Sequence, residues 1–140
     1  VLYADIREEE HILCDGRKLV VKPDMIADFR NLPFPDEHFY LVVFDPPHLL
    51  NAGKNGWQAK KYGSLGADWK ESIKAGFDEC YRVLKPNGTL IFKWNEHSLK
   101  ISEIIRAIGR EPLFGHKTMQ NNKTVWMTFF KDITATRDRE

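Results

Sequence analysis

The apolar and polar segments of this chain follow an order that is typical of an α/β protein. Short apolar runs indicate strands, and apolar residues at spacings of three and four indicate two amphipathic helices. Because strands alternate with helices, we expect a mostly parallel sheet, to which a closing hairpin adds one antiparallel strand. The expected strands cover residues 1–5, 12–14, 19–21, 25–29, 40–44, 89–94, 113–119 and 124–130, and the expected helices lie around residues 69–84 and 101–108.

Local signals predict where several of these elements begin and end. Asp68 and Ser98 are suitable N-caps for the two helices. The Pro-Asn-Gly sequence at residues 86–88 is expected to end the first helix, and Gly109 the second. An Asp-Gly pair at residues 15–16 lies between apolar runs, which predicts a β-ribbon closed by a tight turn.

Residues 40–44, Tyr-Leu-Val-Val-Phe, are apolar without alternation, which predicts a strand buried on both faces at the centre of the sheet. Asp45-Pro46-Pro47-His48 follows at once. An acid at the carboxyl end of such a strand lies where open α/β sheets bind ligands, and the two prolines fix the main chain around it. This arrangement indicates a rigid acceptor site for an amino group. The alternative is that Asp-Pro only ends the strand in a turn.

Composition excludes several classes of protein. With 140 residues, 42% of them hydrophobic and 29% charged, the chain has the make-up of one globular domain. A net charge of +1 provides no global field for a polyanion, so any nucleic-acid contact needs a local patch. Cys14, Cys80 and the scattered histidines have no metal-ligand spacing, and we expect reduced thiols, no metal site and a cytoplasmic protein. No apolar run is long enough to cross a membrane.

Two stretches of the chain carry a resemblance to a known family. Residues 26–48 contain a Leu-Pro-Phe loop, a strand-forming run and Asp-Pro-Pro-His, and residues 81–90 contain a Leu-Lys-Pro-Asn-Gly turn before a strand. Both resemble class I S-adenosylmethionine-dependent methyltransferases, which have a Rossmann-like sheet. More narrowly, the chain looks like small phage- and plasmid-borne methyltransferases with Asp-Pro-Pro-His, which resemble the amino-methyltransferases of adenine N6 and cytosine N4. The resemblance covers residues 1–131 as a single domain, and residues 132–140 form a polar tail.

The chain departs from the family pattern at two places. The glycine-rich loop after the first strand is absent, so residues 1–5 match the second strand. We therefore expect the domain to be incomplete at its N-terminus, with the first strand and its loop preceding Val1. His48 stands where the amino-methyltransferases usually carry Tyr, Phe or Trp. A neutral imidazole stacks on a base more weakly, and its stacking depends on pH.

The resemblance implies roles for residues at the ends of the first strands, with S-adenosylmethionine as the cofactor. Asp5, followed by Ile6, would accept hydrogen bonds from the ribose hydroxyls, and Asp28 would accept one from the adenine amino group. Phe29 would contact the adenine ring, although it could equally be a core residue. Arg7 and Arg30, which flank the acids, could form ordinary ion pairs with them.

The same resemblance implies how the acceptor is bound. Asp45, which also borders the cofactor, and the Pro46 carbonyl would accept hydrogen bonds from the target amine, while Pro47 holds the turn and His48 stacks on the acceptor. The loop that follows suits phosphate contact and base stacking on nucleic acid, with DNA favoured. The alternative is a lid with ordinary surface lysines. The residues concerned are Lys54, Trp57, Lys60, Lys61 and Tyr62.

The leading prediction is therefore an amino-group methyltransferase that acts on adenine N6 or cytosine N4 of nucleic acid. One alternative is the same chemistry on a small molecule or a protein, which the modest charge favours. Another is a non-catalytic module that holds nucleic acid or a partner without turnover. The sequence does not predict the oligomeric state.

Overall fold

The computed structural model describes residues 1–50, 63–118 and 123–132. These residues form a series of strands with two helices, and the α/β class expected from the sequence is confirmed. In chain order the elements are β1 (Ala4–Asp5), β2 (Glu9–Ile12), β3 (Lys18–Val21), β4 (Met25–Ile26), β5 (Phe39–Phe44), α1 (Trp69–Val83), β6 (Leu84–Asn95), α2 (Ile101–Ile108), β7 (Phe114–Thr118) and β8 (Thr124–Phe130).

The largest sheet has four strands in the order β5-β6-β8-β7. Strands β5 and β6 are parallel, whereas β8 pairs antiparallel with both β6 and β7, as expected for a closing hairpin. Strands β1 and β4 form a separate parallel pair, and β2 and β3 form the expected antiparallel ribbon. The sheet is thus mixed, and the expectation of a mostly parallel sheet is not confirmed.

Both helices contribute to one hydrophobic core with β5, β6 and β8. In α1 the buried residues recur every three or four positions, so one apolar stripe faces the core. Gly76 also lies on this stripe. A side chain at this position would overlap the ring of Phe44, because its Cβ atom would lie 2.8 Å from the Cζ atom of that ring. The largest fully buried side chains are those of Trp94, Phe77, Phe92, Phe129, Ile73, Leu84, Leu90, Ile104, Met127 and Val83.

Strand β5 is buried on one face only. Phe44 points into the core, but the side chains of Tyr40, Leu41 and Val43 are 72%, 58% and 59% exposed. The prediction of a central strand buried on both faces is therefore wrong for the residues described. The physical reason is that no described element packs on its second face. In the described residues β5 is also an edge strand of the four-stranded sheet and not a central one.

The boundary between α1 and β6 differs from the prediction. The helix ends at Val83 and the strand starts at Leu84, so the Pro-Asn-Gly sequence lies inside β6 and does not separate the two elements. Pairing with β5 shifts register between Phe39 and Leu41, and Asn87 has φ 61°, which marks a bulge. Backbone hydrogen bonds with Lys131 hold this bulge on its other side.

Helix termini follow the predictions in part. Asp68 is the N-cap of α1, but its carboxylate accepts from the Ser72 hydroxyl and not from a backbone N–H. Helix α2 starts at Ile101, so Ser98 does not cap it. Instead, Glu103 accepts a hydrogen bond from the Lys100 N–H. Gly109 ends α2 as expected, with φ 70° and its N–H bonded to the Ile105 carbonyl.

The short N-terminal strands have narrower bounds than expected. The first ribbon strand is Glu9–Ile12 and not residues 12–14, because Leu13 opens the turn through a backbone hydrogen bond to Arg17. Strand β4 covers only Met25–Ile26, since the chain turns at the next acid, where the carboxylate accepts a backbone N–H two residues later.

The loop that precedes β5 is tied to α1 by two charged side chains. Arg82 donates to the carbonyls of Leu32 and Phe34, and Glu79 accepts from the Leu32 N–H. Hydrogen bonds from Arg82 hold the pKa of Glu79 below its ordinary value, despite some desolvation. These contacts fix where β5 begins and thereby where its carboxyl end lies.

Candidate active site

The carboxyl ends of β5 and β6 place an acid and a base side by side. Phe44 pairs with Phe92, so Asp45 and Lys93 are the next residues of two adjacent parallel strands. The Lys93 Nζ atom lies 2.7 Å from Asp45 Oδ2. The Asp45 side chain is still 51% exposed, which leaves it open to a ligand.

The two prolines form a packed turn next to this carboxylate. Pro46 is buried and Pro47 is half-buried. Gly63 has φ 76°, and a Cβ atom on it would lie 3.2 Å from the Pro47 ring and 4.0 Å from the guanidinium carbon of Arg7. Backbone and side-chain hydrogen bonds from residues 64–65 to the Leu49 carbonyl bring both ends of the intervening segment together. The turn is thus supported from several sides.

His48 is half-buried at the margin of the core. Its ring lies 6.5 Å from the ring of Trp94 at an angle of 83°, and Trp94 donates its indole N–H to the Leu99 carbonyl. Desolvation lowers the pKa of His48; the charge of Asp45 raises it, and those of His97 and Lys93 lower it. His48 is therefore a neutral imidazole at neutral pH.

We predict that His48 makes the protein less stable in mild acid. Its folded-state pKa lies below the ordinary value of about 6.5, so below that pH the unfolded chain binds the proton more readily. The stability that the neutral His48 contributes is therefore fully present above the unfolded-state pKa and is lost as the pH falls through the folded-state pKa. His48→Gln should reduce the drop in melting temperature between about pH 7.5 and 5.5. His116→Gln, on an exposed imidazole of β7, is the control. An unchanged drop in His48→Gln would contradict the prediction.

Asp5, at the carboxyl end of β1, is held by Arg7. The backbone N–H and Nε of Arg7 donate to Asp5 Oδ1 at 2.9 and 3.1 Å, and Nη2 donates to Oδ2 at 3.2 Å. Desolvation raises the pKa of Asp5, but these hydrogen bonds outweigh it and leave the pKa below its ordinary value. Tyr3 donates to Oδ2 at 3.3 Å, and the charges of both Asp5 and Asp45 raise the pKa of Tyr3 after desolvation. The next residue, Ile6, is 58% exposed.

Asp28, after β4, repeats the same Asp-x-Arg arrangement. Arg30 donates from its backbone N–H and Nε to Oδ1 and from Nη2 to Oδ2, and these bonds lower the pKa of Asp28. The ion-pair interpretation of both arginines is confirmed. Phe29 packs edge-on against Phe44 with 5.4 Å between ring centroids, so its ring belongs to the core margin. Its neighbour Asp28 is thereby held near the end of β5.

The remaining predicted site residues fall outside the described part of the chain. The structure describes neither the cationic nor the aromatic side chains of the loop, so the prediction that they contact substrate stays a prediction. Among residues 1–50, 63–118 and 123–132, no group of three or more His, Cys, Asp or Glu is placed to hold a metal ion. Neither described helix is long and apolar enough to cross a bilayer. The residues outside the described ranges are Lys54, Trp57, Lys60, Lys61 and Tyr62.

Sequence reasoning missed the pairing of Lys93 with Asp45. The pattern of strands places Lys93 only at the same sheet edge, since 48 positions separate it from its partner. The signal that could have found the pair is register, because the residues that follow the paired Phe44 and Phe92 lie side by side in two parallel strands. The arginine partners of Asp5 and Asp28 have a local signal, the spacing of two residues.

Comparison with known proteins finds similar structures but no similar sequence. No family model matches the chain. No curated protein matches it either.

Several solved structures share its fold. PH0226 from Pyrococcus horikoshii OT3 is 14% identical with a TM-score of 0.54, and the match covers 79% of this chain and 59% of PH0226. TTHA0409 from Thermus thermophilus, provisionally named a DNA modification methylase, is 15% identical with a TM-score of 0.50, over 75% of this chain and 52% of that protein. TTHA0409 complexed with S-adenosyl-L-methionine matches with 17% identity and a TM-score of 0.47, over 75% and 53%. The chain thus spans just over half the length of these proteins, and what it shares with PH0226 and TTHA0409 is the fold.

Proposed function

We propose that this chain forms a domain of an S-adenosylmethionine-dependent methyltransferase, which transfers a methyl group to an amino nitrogen of nucleic acid. The observation that carries the proposal is the half-exposed carboxylate of Asp45, fixed at the carboxyl end of β5 between a packed Pro-Pro turn and Lys93. Two further acids lie at the carboxyl ends of the parallel strands β1 and β4, since Asp5 is the last residue of β1 and Asp28 follows β4. The fold shared with TTHA0409 supports this assignment.

The acids suit the nucleoside part of the cofactor. Asp5 and Asp28 are ionised at neutral pH and accept hydrogen bonds, which is the chemistry that ribose hydroxyls and an adenine amino group require. Both oxygens of Asp5 already have donors, so a ribose would replace the 3.3 Å bond from the Tyr3 hydroxyl. Ile6 and Phe29 border these positions, and TTHA0409 has been solved with this cofactor bound. When bound, the cofactor supplies a methyl group on a sulfonium.

The residues around Asp45 would orient the acceptor amine. Asp45 Oδ1 and the Pro46 carbonyl accept its two N–H groups, which turns the nitrogen lone pair toward the methyl donor. A hydrogen bond to a charged group contributes about 1.5–3 kcal/mol, and more where charge develops in a water-poor site. Pro47 keeps the carbonyl in place, and the neutral His48 offers a ring face to the acceptor.

Nucleic acid is the acceptor that we favour, and DNA in particular. The loop with Lys54, Lys60 and Lys61 combines cations with the aromatic rings of Trp57 and Tyr62, which suits phosphates and an unstacked base. Adenine N6 and cytosine N4 are the exocyclic amines that we expect to receive the methyl group. The name of TTHA0409 points to the same class of substrate.

We further propose that a strand with a glycine-rich turn belongs between β1 and β5. In the described residues these two strands are not hydrogen-bonded to each other, and β5 pairs with β6 on one edge only. Such a strand would satisfy the backbone groups of both edges and join the two sheets into one. In this proposal residues 1–131 form a single domain around that sheet, and residues 132–140 form a polar tail.

A non-catalytic binding module is the second candidate. Arg7 and Tyr3 occupy both oxygens of Asp5, as in a site that is closed to a ribose. Cofactor binding without methyl transfer to any acceptor would favour this candidate.

A small molecule or a protein is an alternative acceptor to nucleic acid. The net charge of +1 favours this alternative, because it provides no global field that attracts a polyanion.

Calorimetry with S-adenosylmethionine tests the proposal, and we predict saturable binding that Asp5→Asn weakens about 10- to 100-fold. Asparagine keeps the shape of the side chain but loses the negative charge to which the ribose hydroxyls would donate hydrogen bonds. Asp15→Asn is a matched control, because Asp15 makes the same pair with Arg17 in the turn between β2 and β3. It should bind like the wild type.

The acceptor is then sought by incubating the protein with labelled cofactor and DNA, RNA or cell extract. Label in DNA at adenine N6 or cytosine N4 is the expected result. A wild-type protein that binds no S-adenosylmethionine, or an Asp5→Asn variant that binds it as tightly as the wild type, would contradict the cofactor site.

A further inference from the structure

We propose that Lys93 is a positioning residue that holds the Asp45 carboxylate in the orientation needed to receive the acceptor amine. The inference rests on the proposed function and assigns to that reaction a residue from a different strand. Its basis is the ion pair between the carboxyl ends of β5 and β6.

The position of Lys93 is set by the sheet on both sides. Parallel pairing of β5 and β6 places Asp45 beside it, and antiparallel pairing of β6 and β8 places Trp126 directly opposite. Its Nζ atom lies 2.7 Å from Asp45 Oδ2 and 5.6 Å from the centre of the Trp126 ring. The ammonium group therefore sits between a carboxylate and an aromatic face, both of which attract a cation.

The orientation of the Asp45 side chain depends on this contact more than that of a carboxylate held inside a turn would. Half of its side chain is exposed, and Lys93 donates to it across the sheet edge. Lys93 is itself only 33% exposed and is anchored by regular strand pairing. Without the ammonium group, the carboxylate of Asp45 would rotate among several orientations.

The geometry divides the two oxygens of Asp45 between two tasks. Lys93 holds Oδ2, and no described residue donates to Oδ1, so Oδ1 is available to the acceptor amine. Reaction rates respond steeply to such placement, since a shift of about 1 Å in a reacting group can reduce turnover about 100-fold. An ordinary surface ion pair has no such consequence, because neither of its partners meets a substrate.

Methyl-transfer kinetics of Lys93→Met and Lys93→Arg test this role. Methionine keeps most of the length of the stem but loses the charge, and should lower kcat about tenfold or more, with KM for the acceptor and the affinity for cofactor changed less than about twofold. Arginine retains a cationic donor and should restore most of kcat. Lys74→Met is the matched control, because Lys74 forms an exposed ion pair with Asp78 on α1. It should leave kcat unchanged.

A second measurement tests the ion pair without any turnover. Reductive methylation with labelled formaldehyde, followed by peptide mass spectrometry, should modify Lys93 slowly in the wild type and at least about threefold faster in Asp45→Asn. The rate for Lys74 should be the same in both proteins.

The outcomes separate this inference from the proposed function. A Lys93→Met variant with wild-type kcat, an arginine variant as slow as the methionine one, or an unchanged labelling rate would each overturn the positioning role. Failure of the wild type to methylate any acceptor would overturn the proposed function and this role with it, even if the labelling result shows that the pair exists.

Discussion

Asp45→Ala is expected to lower the rate of methyl transfer by at least about 100-fold, while the affinity for S-adenosylmethionine changes little. The alanine variant loses the acceptor that orients the amine at the end of β5, and donors or acceptors aimed at developing charge contribute about 10²- to 10³-fold to turnover. Affinity for the cofactor should persist because Asp5 and Asp28 lie at the ends of two other strands, β1 and β4. Single-turnover kinetics with labelled cofactor, alongside calorimetry of the same samples, measure both quantities.

Two further variants sharpen this test. Asp45→Asn keeps the size of the side chain and one carbonyl oxygen, so it should retain more activity than alanine but remain well below the wild type. Asp78→Asn, in which an exposed carboxylate on α1 loses its charge, should turn over normally. Wild-type turnover in Asp45→Ala would remove that carboxylate from the mechanism.

Trp94→Ala is expected to reduce the free energy of unfolding by about 3–5 kcal/mol, the usual cost of truncating a large buried aromatic side chain. Trp94 is 1% exposed, and its ring packs against Phe92 and His48. The change leaves a cavity in the core and the Leu99 carbonyl without the indole N–H. Since domains are stable by only about 5–15 kcal/mol, this loss is large. Urea denaturation followed by circular dichroism measures it.

Trp94→Phe separates the two contributions. It keeps an aromatic ring in the core but loses the hydrogen bond to Leu99, so it should cost clearly less than alanine, about 1–3 kcal/mol. A variant with alanine that unfolds at the wild-type urea concentration would show that Trp94 does not pack as described. His48 should become more exposed in both variants, which its rate of modification by diethyl pyrocarbonate reports.

The elements that sequence could predict are those with local causes. The apolar stripe of α1 could be predicted because its apolar residues recur every three or four positions. The terminal hairpin could be predicted because two runs of strand-forming residues flank a short polar sequence. Gly109 ends α2 because a left-handed residue is needed there. The Asp-Gly turn of the ribbon has the same local origin, with Gly16 at φ 82°.

The elements that sequence could not predict depend on neighbours distant in the chain. Pro86 lies within β6 because backbone bonds between Lys131 and residues 87–88 hold a bulge there, which overrides the local tendency of that sequence to form a turn. Whether β5 is central or at an edge depends on which strands lie beside it, and a run of five apolar residues does not determine that.

The candidate site shows the same division. Acids at strand ends, Asp5, Asp28 and Asp45, could be named from the order of elements, and the arginine partners of the first two lie two residues away. Lys93 could not be named as the partner of Asp45, because their contact depends on the register of two strands. Register is set by the packing of the whole sheet, and the sequence of either strand alone does not determine it.

The uncovered face of the four-stranded sheet has a consequence for work with the purified protein. Leu41, Val43, Phe114 and Phe130 present 43–62% of their surface to water, next to the edge of β5 that pairs with no other described strand. Contiguous apolar surface and an open strand edge both favour association, and a net charge of +1 supplies little repulsion to prevent it. A buffer well away from the isoelectric point of about 7.9, low protein concentration and a mild detergent should therefore keep the chain dispersed during handling.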